Sequence, residues 1–432
     1  MVINMNINEA LSFIHKTVWL GSKPGLSRTE KLLSLMDNPH KKLKFVHVAG
    51  TNGKGSTSAC IASVLVKAGY KTGLYTSPYI NVFNERMQIN GKMISDDELC
   101  EMCEYIKPLS DSMTDDPPTE FELITALAME YFYRNGCEIV VLEVGMGGEL
   151  DSTNVIDSPE CAVITAIDLD HTSFLGSTVE EVAKAKAGVI KKDTSVVLYD
   201  CRESVYNVFL EKCKEVGASL VTANFEKIHN ESRDLRYINF DYGRYNNLKL
   251  GLVGSYQPKN ASVAVTAVEI LREKGYKISD ENVYDGLRDV KWPGRFEILG
   301  ENPIFVLDGA HNPHGMRATA DSLVNHFEGR KIHFVVGAMA DKDVKGMMEM
   351  LVPMAEMFVA VKPDNPRAMD AEKLANLLQE LGAEAQSVDN IKDAVKFAVE
   401  KAGKDGIVAC LGSLYFSGEI RQAYLSFTGE EK

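Results

Sequence analysis

One run of residues constrains this chain more than any other: His47-Val48-Ala49-Gly50-Thr51-Asn52-Gly53-Lys54-Gly55-Ser56-Thr57. The apolar run Lys44-Phe45-Val46 precedes it and a small-residue stretch, Ser58 to Ala68, follows it. The order therefore reads strand, glycine-rich turn, helix. Three glycines let the backbone fold tightly and aim successive N–H groups at an anion. The helix N-terminus adds its partial positive charge. Lys54 supplies a point charge for outer phosphates, and Ser56 or Thr57 a hydroxyl for phosphate or Mg²⁺. The whole run, Gly50, Thr51, Asn52, Gly53, Lys54, Gly55, Ser56 and Thr57, reads as a nucleotide triphosphate cradle. Its spacing departs from G-x-x-x-x-G-K-[ST]. Val48 stands where the first glycine belongs, and Gly55 separates Lys54 from Ser56.

The segments around this loop extend an α/β pattern. A second strand, Lys71 to Tyr75, ends in Thr76-Ser77-Pro78-Tyr79. Ligands of parallel sheets sit beyond the carboxyl ends of strands, so Ser77 is placed to face phosphates. Arg86 to Gln88 is strand-like and turns at Asn90-Gly91. Residues 108–118 are polar and proline-punctuated, which predicts a surface loop. Thr119 and Glu122 fit a capping box that opens a helix running to about Arg134. Glu138 to Glu143 is a β-branched strand followed by Val-Gly-Met-Gly-Gly. An acidic residue at a strand end beside such a loop is a usual place for an Mg²⁺ carboxylate.

Further along, strand Cys161 to Ile167 leads into Asp168-Leu-Asp170-His171, and His171 at a strand end is a candidate site residue. Val179 to Ile190 reads as a helix whose Lys184 and Lys186, by spacing alone, fit a solvated face. Residues 225–253 carry period-two stretches that predict a small antiparallel patch. Gly254 to Ala261 opens another helix, and residues 276–292 close the first domain at Trp292-Pro293-Gly294-Arg295. A second series follows, with strands at Ile304–Leu307, Ile332–Val336, Met357–Val361 and Ile407–Leu411 and helices between them. Asp308-Gly309-Ala310-His311-Asn312-Pro313 ends the first of these strands. The fold class is α/β: a P-loop ATPase domain with a mostly parallel sheet, plus a second, smaller Rossmann-like domain. The division is placed at residues 1–296 and 297–432.

Composition narrows the function classes. The chain of 432 residues is too long for one ordinary core. Its 45% hydrophobic and 25% charged residues suit a water-soluble globular protein. A net charge of −14 argues against a nucleic-acid partner. No run approaches the roughly 18 apolar residues of a membrane span, and the N-terminus lacks the basic and apolar regions of a signal peptide. The expectation is a cytoplasmic protein with no membrane partner. Eight cysteines are spread along the chain and read as reduced core residues. Cys100 and Cys103 form a C-x-x-C with no second pair, a weak signal for metal.

Taken together, the motifs resemble the folylpolyglutamate synthases and dihydrofolate synthases of the Mur ligase superfamily. The phosphate loop Gly50-Thr-Asn-Gly-Lys-Gly-Ser56 is similar to theirs. So are Thr76-Ser-Pro78, Asn84-Glu-Arg86, Thr119-Glu-Phe-Glu122, Glu143-Val-Gly-Met-Gly-Gly148, Asp151-x-Thr-Asn154, Asp170-His171 and Lys186-Ala-Gly188. The match continues through Gln257-x-x-Asn260-Ala261, Pro293-Gly-Arg295, Asp308-Gly-Ala-His-Asn-Pro313, Asp341-Lys-Asp343 and Gly412-Ser413.

The resemblance implies roles that spacing alone does not. Ser77 and Glu143 would hold one Mg²⁺, and His171 with a carbamylated Lys186 would serve a second, with K⁺ left open as a further ion. Asn260, Arg295 and Asp308 match nucleotide-contacting positions, with His311 beside them. Lys54, Lys186, His171 and Asp308 would carry the catalysis. The segments about 77–86 and 119–122 would bind a pterin. Three positions depart from the pattern: Tyr79 and Tyr256 stand where many members have His, and Ala185 replaces a frequent Glu.

The implied reaction joins ATP, L-glutamate and a folate or dihydropteroate through an acyl phosphate, in a protein read as a monomer. A Mur-type UDP-muramoyl ligase would carry a separate N-terminal UDP-binding domain and G-T-N-G-K-T-T in its loop. A nucleotide-binding switch would want an N-K-x-D motif, which the sequence lacks.

Overall fold

The β-branched runs that end near Ala49, Tyr75, Glu143 and Ile164 lie side by side in one sheet. The computed structural model describes residues 5–17, 21 and 23–429. Contacts divide the described residues into two compact units. One comprises Met1–Tyr79, Phe83–Ile228 and Lys259–Val290, the other Ile80–Val82, His229–Pro258 and Lys291–Lys432. This division differs from a single cut at 296, because 229–258 and 291–296 fall with the second unit.

The first unit carries strands β1 (Phe45–Ala49), β2 (Thr72–Tyr75), β3 (Met87–Ile89), β4 (Lys92–Met93), β5 (Ile139–Glu143), β6 (Cys161–Ile164), β7 (Ser195–Tyr199) and β8 (Ser219–Ala223). Their order is β4-β3-β2-β5-β1-β6-β7-β8. The six strands from β2 to β8 in that order are parallel, and β3 and β4 add an antiparallel hairpin. Asn90 and Gly91 make its turn with positive φ, the geometry such two-residue loops demand. Val48 pairs with Glu143 on one side and with Val163 on the other. The carboxyl ends of the three central strands are therefore level.

Helices α1 (Ile7–His15), α2 (Ser27–Leu35), α3 (Lys54–Lys67), α4 (Asp96–Asp111) and α5 (Glu120–Arg134) follow the same chain order. They are joined by α6 (Thr172–Leu175), α7 (Val179–Ala187), α8 (Glu203–Val216), α9 (Gln257–Glu273) and α10 (Asp280–Asp289). Apolar residues of α1, α2, α4 and α5 pack with Tyr75, Val140 and Leu142 in one core. A second core joins α7 and α8 to Ala162, Ile164, Val196 and Leu198. Strands buried on both faces read as continuous apolar runs, which is why they are visible in the sequence.

Two local expectations need correction, and one is borne out. The helix after the glycine-rich turn begins at Lys54, not Ser58. Gly53, at φ +87, turns the chain directly into it, so the polar residues Lys54 to Thr57 form its first turn. The loop expected at 108–118 begins later, because α4 runs through Pro108 to Asp111. Burial of Ile106, Ser110 and Met113 holds that last turn in spite of the missing N–H. Cys100 and Cys103 sit on the inner face of α4, 3% and 0% exposed, and burial pushes the Cys103 thiol up to about 12. They are core residues.

Residues 228–250 form the small sheet that their periodicity predicts: β9 (Ile228–Arg233), β10 (Ile238–Tyr242) and β11 (Tyr245–Leu250), in the order β11-β10-β9 with β10 and β11 antiparallel. A six-stranded sheet contains β12 (Glu297–Glu301), β13 (Ile304–Leu307), β14 (Ile332–Val336), β15 (Ala355–Ala360), β16 (Ala385–Ser387) and β17 (Ile407–Leu411). Its order is β12-β13-β17-β14-β15-β16, parallel except for β12. Helices α11 (Pro313–His326), α12 (Val344–Glu349), α13 (Ala371–Glu380), α14 (Ile391–Ala402) and α15 (Ser417–Thr428) complete it. Among the described residues, no helix is long and apolar enough to cross a membrane.

The close pairing of α3 with α10 rests on Gly286. A Cβ there would come within 2.7 Å of the Val64 backbone, and the Ser63 hydroxyl donates to the Gly286 carbonyl at 2.7 Å. Gly286→Val is expected to force these helices apart and destabilise the protein by about 1–3 kcal/mol, as overpacking does. A urea-unfolding midpoint unchanged from wild type would show that the contact has slack.

Candidate active site

The turn between β1 and α3 is held by two close approaches. Gly50 leaves β1 at φ +152, and a Cβ there would lie 1.9 Å from Thr165 Oγ1. A Cβ on Gly53 would lie 2.5 Å from Asn260 Oδ1. The loop therefore runs in van der Waals contact with the end of β6 and with α9, and only glycine fits at either point. Thr51 locks it further. Its N–H donates to the Ala166 carbonyl at 2.8 Å, and its hydroxyl donates to the Asp168 carbonyl at 2.9 Å. Asn52 N–H also reaches Ala166, at 3.3 Å. Thr51, one of the expected nucleotide contacts, thus spends its N–H and hydroxyl on holding the loop.

Beyond Gly53 the loop becomes the first turn of α3, and no side chain caps it. First-turn N–H groups have no acceptor within a helix, and the helix dipole adds positive potential there. Gly55, Ser56 and Thr57 lie in this turn, Ser56 2% exposed. The buried Thr57 hydroxyl has no hydrogen-bond partner. Lys54 folds back, its Nζ donating to the carbonyls of Gly50 at 3.2 Å and Thr51 at 3.3 Å.

A second lysine meets the same carbonyl. Lys186 is on α7 and 4% exposed, and its Nζ donates to Gly50 O at 2.7 Å. Sequence spacing places it on a solvated face, whereas the fold buries it. Burial, with the nearby Lys54 charge, lowers its pKa to about 7, against the opposing pull of Asp170 and Asp151. Near neutral pH a large fraction of this amine is therefore unprotonated. The Gly145–Gly148 loop runs along α7 at this point: a Cβ on Gly148 would lie 2.9 Å from Lys186 O, and Glu149 N–H donates to Ala185 O.

Glu143 ends β5 and is 4% exposed. Its carboxylate accepts the Ser77 N–H at 3.2 Å, which brings these two expected metal ligands together. Glu143 offers a carboxylate and Ser77 a hydroxyl, oxygen donors of the kind that suit Mg²⁺. His171 is placed differently. It is exposed, with φ +49, just before α6, and its N–H donates to Asp170 Oδ1. Among the described residues, no three His, Cys, Asp or Glu side chains are grouped to hold a metal.

A buried network not foreseen from spacing supports the Gly145–Gly148 loop. His47 Nε2 lies 2.9 Å from Thr153 Oγ1. The Thr153 hydroxyl donates to Asp151 Oδ1 at 2.6 Å, so His47 is the donor to Thr153. Asp151 Oδ2 in turn accepts the Met146 N–H at 2.8 Å. The strand that leads into the phosphate loop is thereby tied to the loop that follows Glu143.

In the second unit Asp308 ends β13, 2% exposed. Oδ2 accepts from the Tyr256 hydroxyl at 3.0 Å and the Phe296 N–H at 2.6 Å. Oδ1 accepts from the Ala310 N–H at 2.7 Å and the Thr319 hydroxyl at 3.0 Å. Burial pushes this carboxyl up, while the Arg295 charge and the hydrogen bonds oppose that. Arg295 Nη1 would lie 2.6 Å from a Cβ on Gly309, and His311 Nδ1 sits 2.8 Å from Gly309 O. Asp308, Arg295 and His311 are thus gathered on neighbouring turns, with Tyr256 as a fourth member.

His47 sets a pH dependence. Burial holds its imidazole neutral in the fold, with a pKa of about 3 against the ordinary 6.5. The unfolded chain takes up that proton below pH 6.5, so stability is complete above this value and declines toward pH 3. The full loss is about 4–5 kcal/mol. His47→Gln is expected to flatten the fall of unfolding free energy across that range. An acid profile identical to wild type would remove His47 from the account.

Comparison with known proteins agrees with this geometry. The sequence matches the Mur ligase middle domain over residues 48–268 and the Mur ligase, glutamate ligase domain over residues 294–414. It is 37% identical over 429 residues to the dihydrofolate synthase/folylpolyglutamate synthase of Bacillus subtilis, covering 96% of this chain and 98% of that one. Mycobacterium tuberculosis folylpolyglutamate synthase, solved with ADP and AMPPCP, superposes with a TM-score of 0.87 at 29% identity, covering 98% and 99% of the two chains. Escherichia coli FolC in complex with DHPP and ADP gives a TM-score of 0.87 at 28% identity and covers 99% of each chain. The chain belongs to the folylpolyglutamate synthase/dihydrofolate synthase family of Mur ligases, which are ATP-dependent amide ligases.

Proposed function

We propose that this chain uses ATP to join L-glutamate to the carboxylate of a folate, and to dihydropteroate as well. The observation that carries the reading is the convergence of Lys54 and Lys186 on the Gly50 carbonyl at the mouth of an uncapped helix. The acceptor carboxylate attacks the γ-phosphorus of ATP, forming an acyl phosphate and releasing ADP. The amine of L-glutamate then attacks the acyl carbon, and phosphate leaves. In this reading Lys54, released from the Gly50 and Thr51 carbonyls, and the first-turn N–H groups of α3 meet the charge that develops on the phosphate oxygens.

Ser77 and Glu143 are the residues that would hold Mg²⁺, which supplies further positive charge to those oxygens. Lys186, as the neutral amine, can add CO₂ and release a proton to become a carbamate. That carbamate and His171 would serve a second metal ion, with K⁺ a further candidate. Gly50, Asn52, Gly53, Gly55, Ser56, Thr57 and Asn260 belong to the nucleotide site in this reading. Thr51 belongs to it as the residue that holds the loop, and Arg295, Asp308 and His311 as further nucleotide contacts. The domain assignment, residues 1–296 for nucleotide binding and 297–432 for the ligase C-terminal part, belongs to the same proposal. So does a monomeric, cytoplasmic protein with no nucleic-acid partner.

Incubation with ATP, glutamate and either dihydropteroate or tetrahydrofolate, with ADP release followed, tests the proposal. Acceptor-dependent ADP release is expected with both. Release with neither would overturn it. Lys54→Ala is expected to remain folded and lose activity on the order of 10²–10³-fold or more, as removal of one charge-stabilising group does elsewhere. Near-normal turnover would refute the role of the loop. Lys186→Ala is expected to be inactive and partly restored by added short carboxylates. Full activity without them would count against a carbamate.

A further inference from the structure

The contact between Lys186 and Gly50 depends on where the last turn of α7 lies, and a buried amide from another part of the chain ties that turn down. Asn154 is 3% exposed and sits in the short 3-10 turn Ser152–Val155. Its Nδ2 donates to the Glu149 carbonyl at 3.0 Å and to the Gly188 carbonyl at 3.1 Å. Glu149 follows the Gly145–Gly148 loop, and Gly188 follows α7, two positions beyond Lys186. One amide group therefore bridges the loop and the helix end. Its Oδ1 is buried with no hydrogen-bond partner among the described residues, so the hydrogen bonding of this side chain goes to those two carbonyls alone.

The bridged segments also lie in contact. A Cβ on Gly188 would come within 2.5 Å of the Glu149 Cα. Glu149 gives its N–H to Ala185 O at 2.9 Å and its own carbonyl to Asn154, so it joins α7 on one side and the 152–155 turn on the other. That turn is itself fixed. The Asn154 N–H donates to the Asp151 carbonyl at 2.8 Å, and the Asn154 carbonyl accepts from Lys191 Nζ at 3.3 Å. Its neighbour Thr153 meets His47 of β1, the strand that ends one residue before Gly50. The turn that carries Asn154 thus grips both the strand before Gly50 and the segment after Lys186.

The phosphate loop does not need this side chain for its own shape. It is held by the approach of Gly50 to Thr165, the approach of Gly53 to Asn260 and the Thr51 bonds to Ala166 and Asp168. Loss of the Asn154 amide falls on α7 and leaves the nucleotide cradle in place.

We propose that Asn154 is a positioning residue for the ligase reaction, which holds the end of α7 so that the Lys186 side chain stays at the phosphate loop. This rests on the role given to Lys186 in the folate-ligase reading above. The competing account is that Asn154 supports the fold at large, and the test separates the two.

The experiment uses the full-length enzyme and compares Asn154→Ala, Asn154→Asp, Lys186→Ala and the double variant Asn154→Ala/Lys186→Ala with wild type. Active sites are counted by bound ADP. Asn154→Ala is expected to lower kcat per active site about 100-fold, as a misplacement of about 1 Å does, with KM for ATP, glutamate and the acceptor unchanged. Asn154→Asp keeps the size but turns an oxygen toward both carbonyls, so it should lose at least as much, and it carries the comparison if the alanine variant does not fold. In the Lys186→Ala background, with acetate added to restore activity, Asn154→Ala should cost nothing further, because the side chain it positions is gone and a free carboxylate finds its own place. An unchanged kcat in a folded Asn154 variant overturns the proposal. So does a rise confined to the ATP KM, and so does a further loss of the same size in the Lys186→Ala background, which is the mark of a general support. Where Lys186→Ala with acetate is too slow to measure, the split between kcat and KM decides. A wild-type enzyme that turns over neither dihydropteroate nor tetrahydrofolate overturns the folate-ligase reading instead.

Discussion

The first unit depends on how closely one stretch of backbone can pass between its neighbours. At Gly50 the chain runs against Thr165, and at Gly53 against Asn260, with no room for a side chain at either point. A methyl at Gly50 would have to displace Thr165, just beyond β6, and the next residue, Ala166, receives the Thr51 and Asn52 N–H groups. This fit makes the loop rigid before any ligand arrives. Rigidity matters because donors fixed in advance need no reorganisation when charge develops. The level register of Val48 with Glu143 and Val163 then sets the loop, the Glu143 carboxylate and the Asp168–His171 segment at one end of the sheet.

The sites are supported by polar groups in quite different ways. Asp308 takes four hydrogen bonds from its own unit, which commits most of its acceptor capacity to the turn around Phe296 and Ala310. Such a carboxylate orders Arg295 and His311 as much as it offers charge. Tyr256 shares in this, standing where the family often has His, and it keeps a donor on Asp308 whatever the pH in the ordinary range, since burial pushes its phenol well up. The His47, Thr153, Asp151 chain does comparable work beneath the Gly145–Gly148 loop, with a neutral imidazole as its inner donor.

Much of the fold is legible in the sequence because buried parallel strands are long apolar runs and the turns are marked by glycine. The exceptions share a cause. Strands β12 and β16 lie at the edges of their sheet, one with Gly300 inside it and the other only three residues long, so neither shows a strong pattern. The Pro108 turn of α4 is helical because Met113 and its neighbours are buried, which local propensity cannot report. In the site, Ser77, Glu143 and the glycine-rich loop follow from strand ends and turn chemistry. Lys186 does not, because a lysine among alanines reads as solvated until the fold buries it against Gly50. The chain from His47 through Thr153 to Asp151 exists only once distant segments meet.

The two lysines at Gly50 show why proximity changes chemistry as well as position. Two ammonium groups hydrogen-bonded to one carbonyl repel each other, and in a buried setting little water screens them. Lys54 is half-buried while Lys186 is enclosed, so burial penalises the charge on Lys186. The protein therefore relieves the conflict by loosening the Lys186 proton, which is the direction its pKa takes. The amine so released is a nucleophile in contact with a phosphate-binding loop. If it takes up CO₂, the site exchanges a repulsive pair for an attractive one, Lys54 ammonium beside a carbamate anion, and gains an oxygen ligand without any change of sequence. The same burial that makes Lys186 unreadable in the sequence is what lowers its pKa.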